Sequence, residues 1–222
     1  MGEGEHGDRA GFLGRIRARQ GPPPVIGPHP PPPPPVVVPE VRYRSLDDVE
    51  VGNPAALRPV FVDAARRVSA VVHDDGDLAA AIAAVVEEHA VATAVVSAEP
   101  EAREAAALLA GLGVEVADYD PVAGAGAGLG VTSAVAGIAA TGSVVVDARS
   151  AGGRGASLLP PVHLCVLPVD RLVATPSDVF RRGDRPLPSN RVVITGPSRT
   201  GDIEQIIILG AHGPLALHVV LV

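Results

Sequence analysis

From Ser69 onward, short valine-rich runs alternate with alanine-rich stretches of about ten residues, and this alternation leaves few folds open. Ser69–Val72, Ala92–Ser97 and Val114–Val116 are β-branched runs of strand length. Asp77 is placed to cap a helix over Leu78–His89. Pro100 opens a second helix over Glu101–Ala110, since proline is tolerated in a first helical turn, and Gly111 and Gly113 end it. Further strands are expected at Ser143–Asp147, Val162–Leu167, Arg191–Thr195 and Leu217–Val222, with a helix over Ile203–Leu209, closed by Gly210, before the last. Strands alternating with helices of this length form βαβ units. The expected class is α/β, a mostly parallel sheet with flanking helices covering both faces.

The chain ahead of Ser69 reads differently. Residues 1–35 form an expected flexible arm, with a short helix around Gly11–Arg19 and a linker containing six prolines from Pro30 to Pro35. Without backbone donors that run cannot join a helix or sheet interior, so an extended polyproline II spacer is expected. Residues 36–68 are a lead-in in which Pro59–Val68 forms a short helix, laying Val60, Phe61 and Ala64 on the main domain, residues 69–222.

Composition removes several classes of function. A net charge of −7 and only five aromatic residues argue against nucleic acid, which needs a basic surface or stacking platforms. The Arg9, Arg15, Arg17 and Arg19 cluster reads as a solvated tail. No apolar stretch reaches the roughly 18–20 residues that span a bilayer. The acidic start Met1–Glu5 has no apolar region after it, so no signal peptide is expected and the cytoplasm is the expected location. Lone Cys165, inside the apolar run Val162–Leu167, reads as a small buried hydrophobe, unable alone to hold an iron–sulfur cluster or a cysteine-rich zinc site. No metal and no cofactor are expected. Lysine is absent, which excludes both a Walker-type phosphate loop and a Schiff base. The glycines at 124, 126 and 128 do not follow a strand and open a helix as a dinucleotide fingerprint requires, and read as a connecting loop.

Three segments are unlike ordinary core sequence: Val131–Ser143, Arg154–His163, and Gly196–Glu204 followed by Gly210–Pro214. In the third, the strand Val192–Thr195 ends in a Gly-Pro turn and enters a helix through Ser198, Thr200 and Asp202, all capping types. The carboxyl end of a parallel strand beside a helix N-terminus is where α/β folds place ligands, and its free amides favour anions. Arg199 adds a planar cation suited to carboxylate or phosphate, although Asp202 or Glu204 offer it a salt bridge instead. His212, in a glycine-rich turn, is a candidate acid, base or ligand.

Together these segments resemble the lactate-utilisation protein C branch of the LUD-domain family. The resemblance rests on Gly196-Pro197-Ser198-Arg199-Thr200 with Asp202-Ile203-Glu204, His212-Gly213-Pro214, Leu158-Leu159-Pro160-Pro161 with His163, and Ile138-Ala139 with Thr141-Gly142. It implies a fold akin to ribose-phosphate isomerase, CoA transferases and formyltetrahydrofolate cyclo-ligase. It also implies a role in oxidising L-lactate to pyruvate beside iron–sulfur partner subunits. In that setting Thr141, Gly142, Arg154, Ser157, Gly196, Ser198, Arg199, Thr200 and Asp202 are the expected binders of a small anionic ligand, with Glu204 and His212 as catalytic candidates. Ala140 departs from the family, which usually has an acidic residue there. Two other readings stay open: a stand-alone enzyme on a small carboxylate, phosphate or thioester, and a regulatory binding module without turnover. A CoA-transferase route would need a carboxylate at a strand end.

Overall fold

A computed structural model describes residues 46, 49–148, 153, 155–181, 188–200, 208–209 and 213–222, all within the unit Arg42–Val222. The expected arm over residues 1–35 and its proline run lie outside the described residues.

The first helix among the described residues, α1 (Pro54–Arg67), begins five residues earlier than expected. Asn53 caps it by accepting from the Ala55 N–H at 3.1 Å, and Pro54 occupies the first turn, where its missing N–H costs nothing. Pro59 therefore sits inside the helix rather than at its start. After β1 (Val71–His73) comes α2 (Leu78–His89), where the Asp77 carboxylate accepts from Ala80 N at 2.9 Å as expected. Then follow β2 (Thr93–Val96), α3 (Pro100–Gly111), β3 (Glu115–Asp118), the short helix α4 (Pro121–Gly126) and β4 (Leu129–Ser133). The glycines read as a loop thus lie partly in α4, which Asp120 caps. The remainder is β5 (Ala136–Ile138), β6 (Ser143–Asp147), β7 (Val162–Leu167), β8 (Leu172–Val173), α5 (Pro176–Arg181), β9 (Arg191–Ile194), β10 (Arg199–Thr200), β11 (Ile208–Leu209) and β12 (Ala216–Leu221).

Six strands form a wholly parallel sheet in the order β1-β12-β7-β4-β2-β3. Ile82 and Val85 of α2 and Leu109 of α3 cover one face, against Leu129, Val131, Leu164 and Val220. The other face carries α1 and a second sheet, ordered β8-β5-β6-β9, in which β6 runs antiparallel to both its neighbours. Here the structure corrects the sequence reading. Ser143–Asp147 and Arg191–Ile194 are strands, but they belong to this second sheet and do not extend the parallel one. The helix expected over Ile203–Leu209 is also overturned at its end, because Ile208–Leu209 pairs antiparallel with Arg199–Thr200. Ile208 is β-branched, a type that favours extended backbone over helix.

Helix α1 joins the two sheets. Leu57, Phe61 and Ala65 pack with Leu167, Leu217 and Leu221 of the parallel sheet and with Val144 and Val146 of β6. Two glycines make the approach possible. Gly142 (φ +65°) lies so close to the helix that a β-carbon there would come 2.1 Å from the Ala65 nitrogen. At Gly196 (φ +70°) one would come 2.1 Å from the Val68 carbonyl oxygen.

The parallel sheet buries two histidines, His163 on β7 and His218 on β12. His163 Nε2 lies 2.8 Å from Thr132 Oγ1, which satisfies one ring nitrogen. Burial, with a smaller contribution from His218, pushes the His163 pKa down to about 3.

Two predictions follow from this packing. Gly142→Ala combines left-handed backbone strain with overpacking against α1 and should cost about 3 kcal/mol in urea unfolding, whereas Gly111→Ala, with open space around it, should stay within about 0.5 kcal/mol of wild type. His163 is neutral when folded, so its contribution is complete above the unfolded value near 6.5 and is lost as pH falls towards about 3. Between pH 7.5 and pH 5 this group alone should cost the wild type about 2 kcal/mol, a loss that unfolding curves of His163→Gln should lack.

Candidate functional site

Segments far apart in sequence meet on one cavity of about 200 Å³ between the parallel sheet and β9. Ser157 of the 3-10 turn Gly155–Ser157 and the following Leu158 enter ahead of β7, and His163 and Leu217 are the second residues of β7 and β12. Val192, Val193 and Ile194 of β9 form the opposite wall. Gly196, Pro197 and Ser198 lie at one end, beside Gly213 and Pro214. The Ser198 N–H donates to the Pro214 carbonyl at 2.9 Å, tying the two motifs together.

Of the expected binders, the structure therefore brings Ser157, Gly196 and Ser198 together and adds His163, which the sequence reading quoted in a motif but gave no role. Thr141 and Gly142 do not line the cavity. Thr141 Oγ1 is 2.6 Å from Ser143 Oγ, which is 2.8 Å from Thr195 Oγ1, so a chain of hydroxyls runs from Thr141 to the residue before Gly196. Gly142 faces α1. Arg199 and Thr200 form the backbone of β10, but their side chains lie outside the described residues, as do Arg154, Asp202, Glu204 and His212. Ser198 and Gly213, both in the cavity wall, bracket the segment that carries five of these six.

The setting differs from the expected one. The strand leading into Gly196 is antiparallel, so the carboxyl-end rule for parallel sheets does not apply to it. The cavity instead lies at the amino ends of β7 and β12, beside Pro214, Leu217 and His163. Its wall is largely aliphatic, and the polar groups set into it are neutral: the Ser157 and Ser198 hydroxyls, backbone amides and the uncharged His163 imidazole. Cys165 lies two residues beyond His163 on β7, and burial raises its pKa to about 12, so the thiol is inert, in keeping with a small core hydrophobe.

At the other edge of the parallel sheet, strand order reverses between β2 and β4, because β3 lies outside β2 and the chain then returns to its inner side. The carboxyl ends of two such strands form the usual ligand crevice of an open α/β sheet. Here they present Ser97, Glu99, Glu101 and Ser133, with Arg171 reaching across. Ser97 Oγ donates to Glu99 Oε2, while buried Glu99 Oε1 has no partner among the described residues. Arg171 donates to Glu101, to Ser133 Oγ at 3.1 Å and to the Ala134 carbonyl at 3.0 Å. Burial works against ionising Glu101, but its own backbone N–H, the Ser133 hydroxyl and Arg171 together hold its carboxyl below the usual range. Sequence reasoning missed this cluster. The available signal was a strand ending in Ser97, followed by a carboxylate and then a helix-opening Pro100.

Comparison with known proteins agrees with this architecture. A DUF162 family protein from Deinococcus radiodurans, known from its crystal structure, superimposes with a TM-score of 0.51 and 23% identity, covering 76% of this chain and 98% of that one, and so shares its fold. Lactate utilization protein C of Halalkalibacterium halodurans is 38% identical over 96 residues, 40% of this chain and 41% of that protein. Its counterpart in Bacillus subtilis is 33% identical over 102 residues, 43% of this chain and 42% of that protein. The chain thus spans less than half the length of these curated relatives. The LUD domain model matches residues 61–222. With most of its length matched in this way, the chain belongs to the LUD domain family.

Proposed function

We propose that this chain serves lactate utilisation as a ligand-binding subunit, and that the cavity bounded by Ser157, His163, Gly196, Ser198 and Gly213 takes a small anion. The observation that carries this reading is the convergence of two of the three motif segments, Arg154–His163 and Gly196–Glu204 with Gly210–Pro214, on one cavity of about 200 Å³, a size suited to a hydroxy acid or oxo acid of a few heavy atoms. The walls offer hydroxyl and amide donors, and Arg154 and Arg199 are the cations proposed to balance the ligand's charge. Thr200 and Asp202 would order the approach to the site, and Glu204 and His212 are the proposed acid–base pair. Relatives 38% and 33% identical over part of their length are named for lactate utilisation. The chain's single cysteine is buried, so electrons would pass through iron–sulfur partner subunits. Calorimetric titration with lactate, pyruvate and phosphate tests the site. One of these should bind, and Ser198→Leu, which fills the cavity, or Arg199→Ala, which removes the bidentate donor, should weaken it about tenfold or more. Binding to none of them, or equal binding by both variants, overturns the reading.

The Glu99 crevice favours a second reading, a stand-alone enzyme on carboxylate or thioester substrates. Glu99 supplies the carboxylate at a strand end that acyl transfer to CoA requires, and it has one oxygen without a partner among the described residues. If this holds, exchange between a carboxylate and an acyl-CoA will be measurable and will vanish in Glu99→Gln. No exchange by the wild type across short-chain acids would dismiss it.

A further inference from the structure

The face of the parallel sheet beneath α2 is largely aliphatic, but its β12 strand carries a histidine. His218, fully buried on β12, stands among Val220, Leu164 and Val166 of that face. Two more histidines reach it from separate elements. His89, the last residue of α2, places Nε2 2.9 Å from His218 Nε2, with the two rings edge to face. His73, the last residue of β1, stacks on the other side with Nε2 3.2 Å from His218 Nδ1. The Glu88 carboxylate lies 3.8 Å from His89 Nε2, and one donor atom each from Glu88, His89 and His218 fall within 4.8 Å of one another.

Satisfying one buried imidazole needs a single acceptor and a single donor, which a Thr or a backbone group can provide, as Thr132 does for His163. Three rings with a carboxylate beside them go further. Two imidazole Nε2 atoms 2.9 Å apart, with a carboxylate oxygen beside them, make up the two-histidine, one-carboxylate donor set that zinc-class ions accept, with a further position left open. Tetrahedral coordination with bonds of about 2.0–2.1 Å separates ligand nitrogens by roughly 3.3 Å, a small opening from the distance here. His89 and Glu88 sit at the exposed end of α2 and have room to make it. His73 supplies the outer partner: with His218 bound through Nε2, its Nδ1–H donates to His73 Nε2, which fixes the tautomer and the ring plane. The site also adjoins the negative end of α2, which favours a cation.

We propose that Glu88, His89 and His218 bind one divalent zinc-class ion, with His73 orienting His218, so that the metal fastens the end of α2 to β12 and keeps one coordination position open to solvent. The test is calorimetric titration of the full chain with Zn²⁺, together with Co²⁺ absorption spectra that report a nitrogen–oxygen ligand set. The wild type should bind one ion in the micromolar range or tighter. His73→Phe should weaken binding roughly 10–100-fold, and His89→Ala or Glu88→Gln should weaken it further. The double variant His6→Ala with His29→Ala, in the arm, should bind as the wild type does. Both tested ligand residues lie at the surface end of a helix, and circular dichroism melting checks that each variant folds. No binding by the wild type in the micromolar range, unchanged affinity in His89→Ala and Glu88→Gln, or loss of binding only in the arm variant would overturn the proposal.

Discussion

The rest of the structure depends on how closely the backbone of the second sheet approaches helix α1. Gly142 and Gly196 stand at the ends of two antiparallel paths through that sheet, and both meet the last turn of α1 at distances only a residue without a β-carbon permits. Their left-handed φ values add a second reason for glycine at each position. Phe61, the one aromatic ring in this core, then fills the space between the sheets. With the helix seated, β9 faces the amino ends of β7 and β12, and the cavity is the gap left between them. Core packing and site construction thus share one cause.

The parallel sheet has two working ends with different chemistry. At the amino ends of β7 and β12, the cavity wall holds no charged side chain among the described residues, and His163 is neutral. A ligand bound there would meet directional hydrogen bonds, with any charge supplied by the segment between Ser198 and Gly213. At the carboxyl ends of β2 and β4 the balance is reversed: two carboxylates and Arg171 are held in and around a buried crevice, and two carboxylate oxygens there are left without a partner among the described residues. Burying a carboxylate oxygen without a donor is costly. The fold tolerates that cost at the place where open α/β sheets bind ligands, which points to a use for it.

Much of this was legible in the sequence because local signals agreed with the final fold. Asp77, with alanine-rich spacing after it, gave α2 its observed bounds, and Pro100 and Gly111 bracketed α3. Val162–Leu167 and Leu217–Val222 were legible as strands of the sheet because each is a nearly continuous apolar run, broken only by His163 and His218. The second sheet was not legible, since β-branched runs such as Val192–Ile194 show that a strand exists but not which partner it finds. The start of α1 was missed because Pro59 resembled a first-turn proline, although Asn53-Pro54 carried the stronger capping signal. Short motifs marked Ser157, Gly196 and Ser198, which do meet. The Glu99 crevice and the histidine cluster depend on long-range topology: His73 and His218 are 145 residues apart and become neighbours only because β12 inserts beside β1.

The same strand register sets the cavity and the histidine cluster on opposite faces of one pair of strands. His163 pairs with Leu217 and faces the cavity, while Leu164 pairs with His218 and faces α2. One step along β12 separates the two environments, so they are linked electrostatically without sharing a side chain. That link is visible in His163, whose proton affinity is lowered by His218 as well as by burial. A cation held at His218 acts on His163 in the same sense, because positive charge close by in a low-dielectric interior disfavours a second positive charge. The imidazole in the cavity wall is then still more firmly neutral, and its free ring nitrogen keeps a fixed role towards a ligand. A metal held on one face would thus fix the protonation state of the imidazole on the other through two adjacent β-strands, with no moving part required.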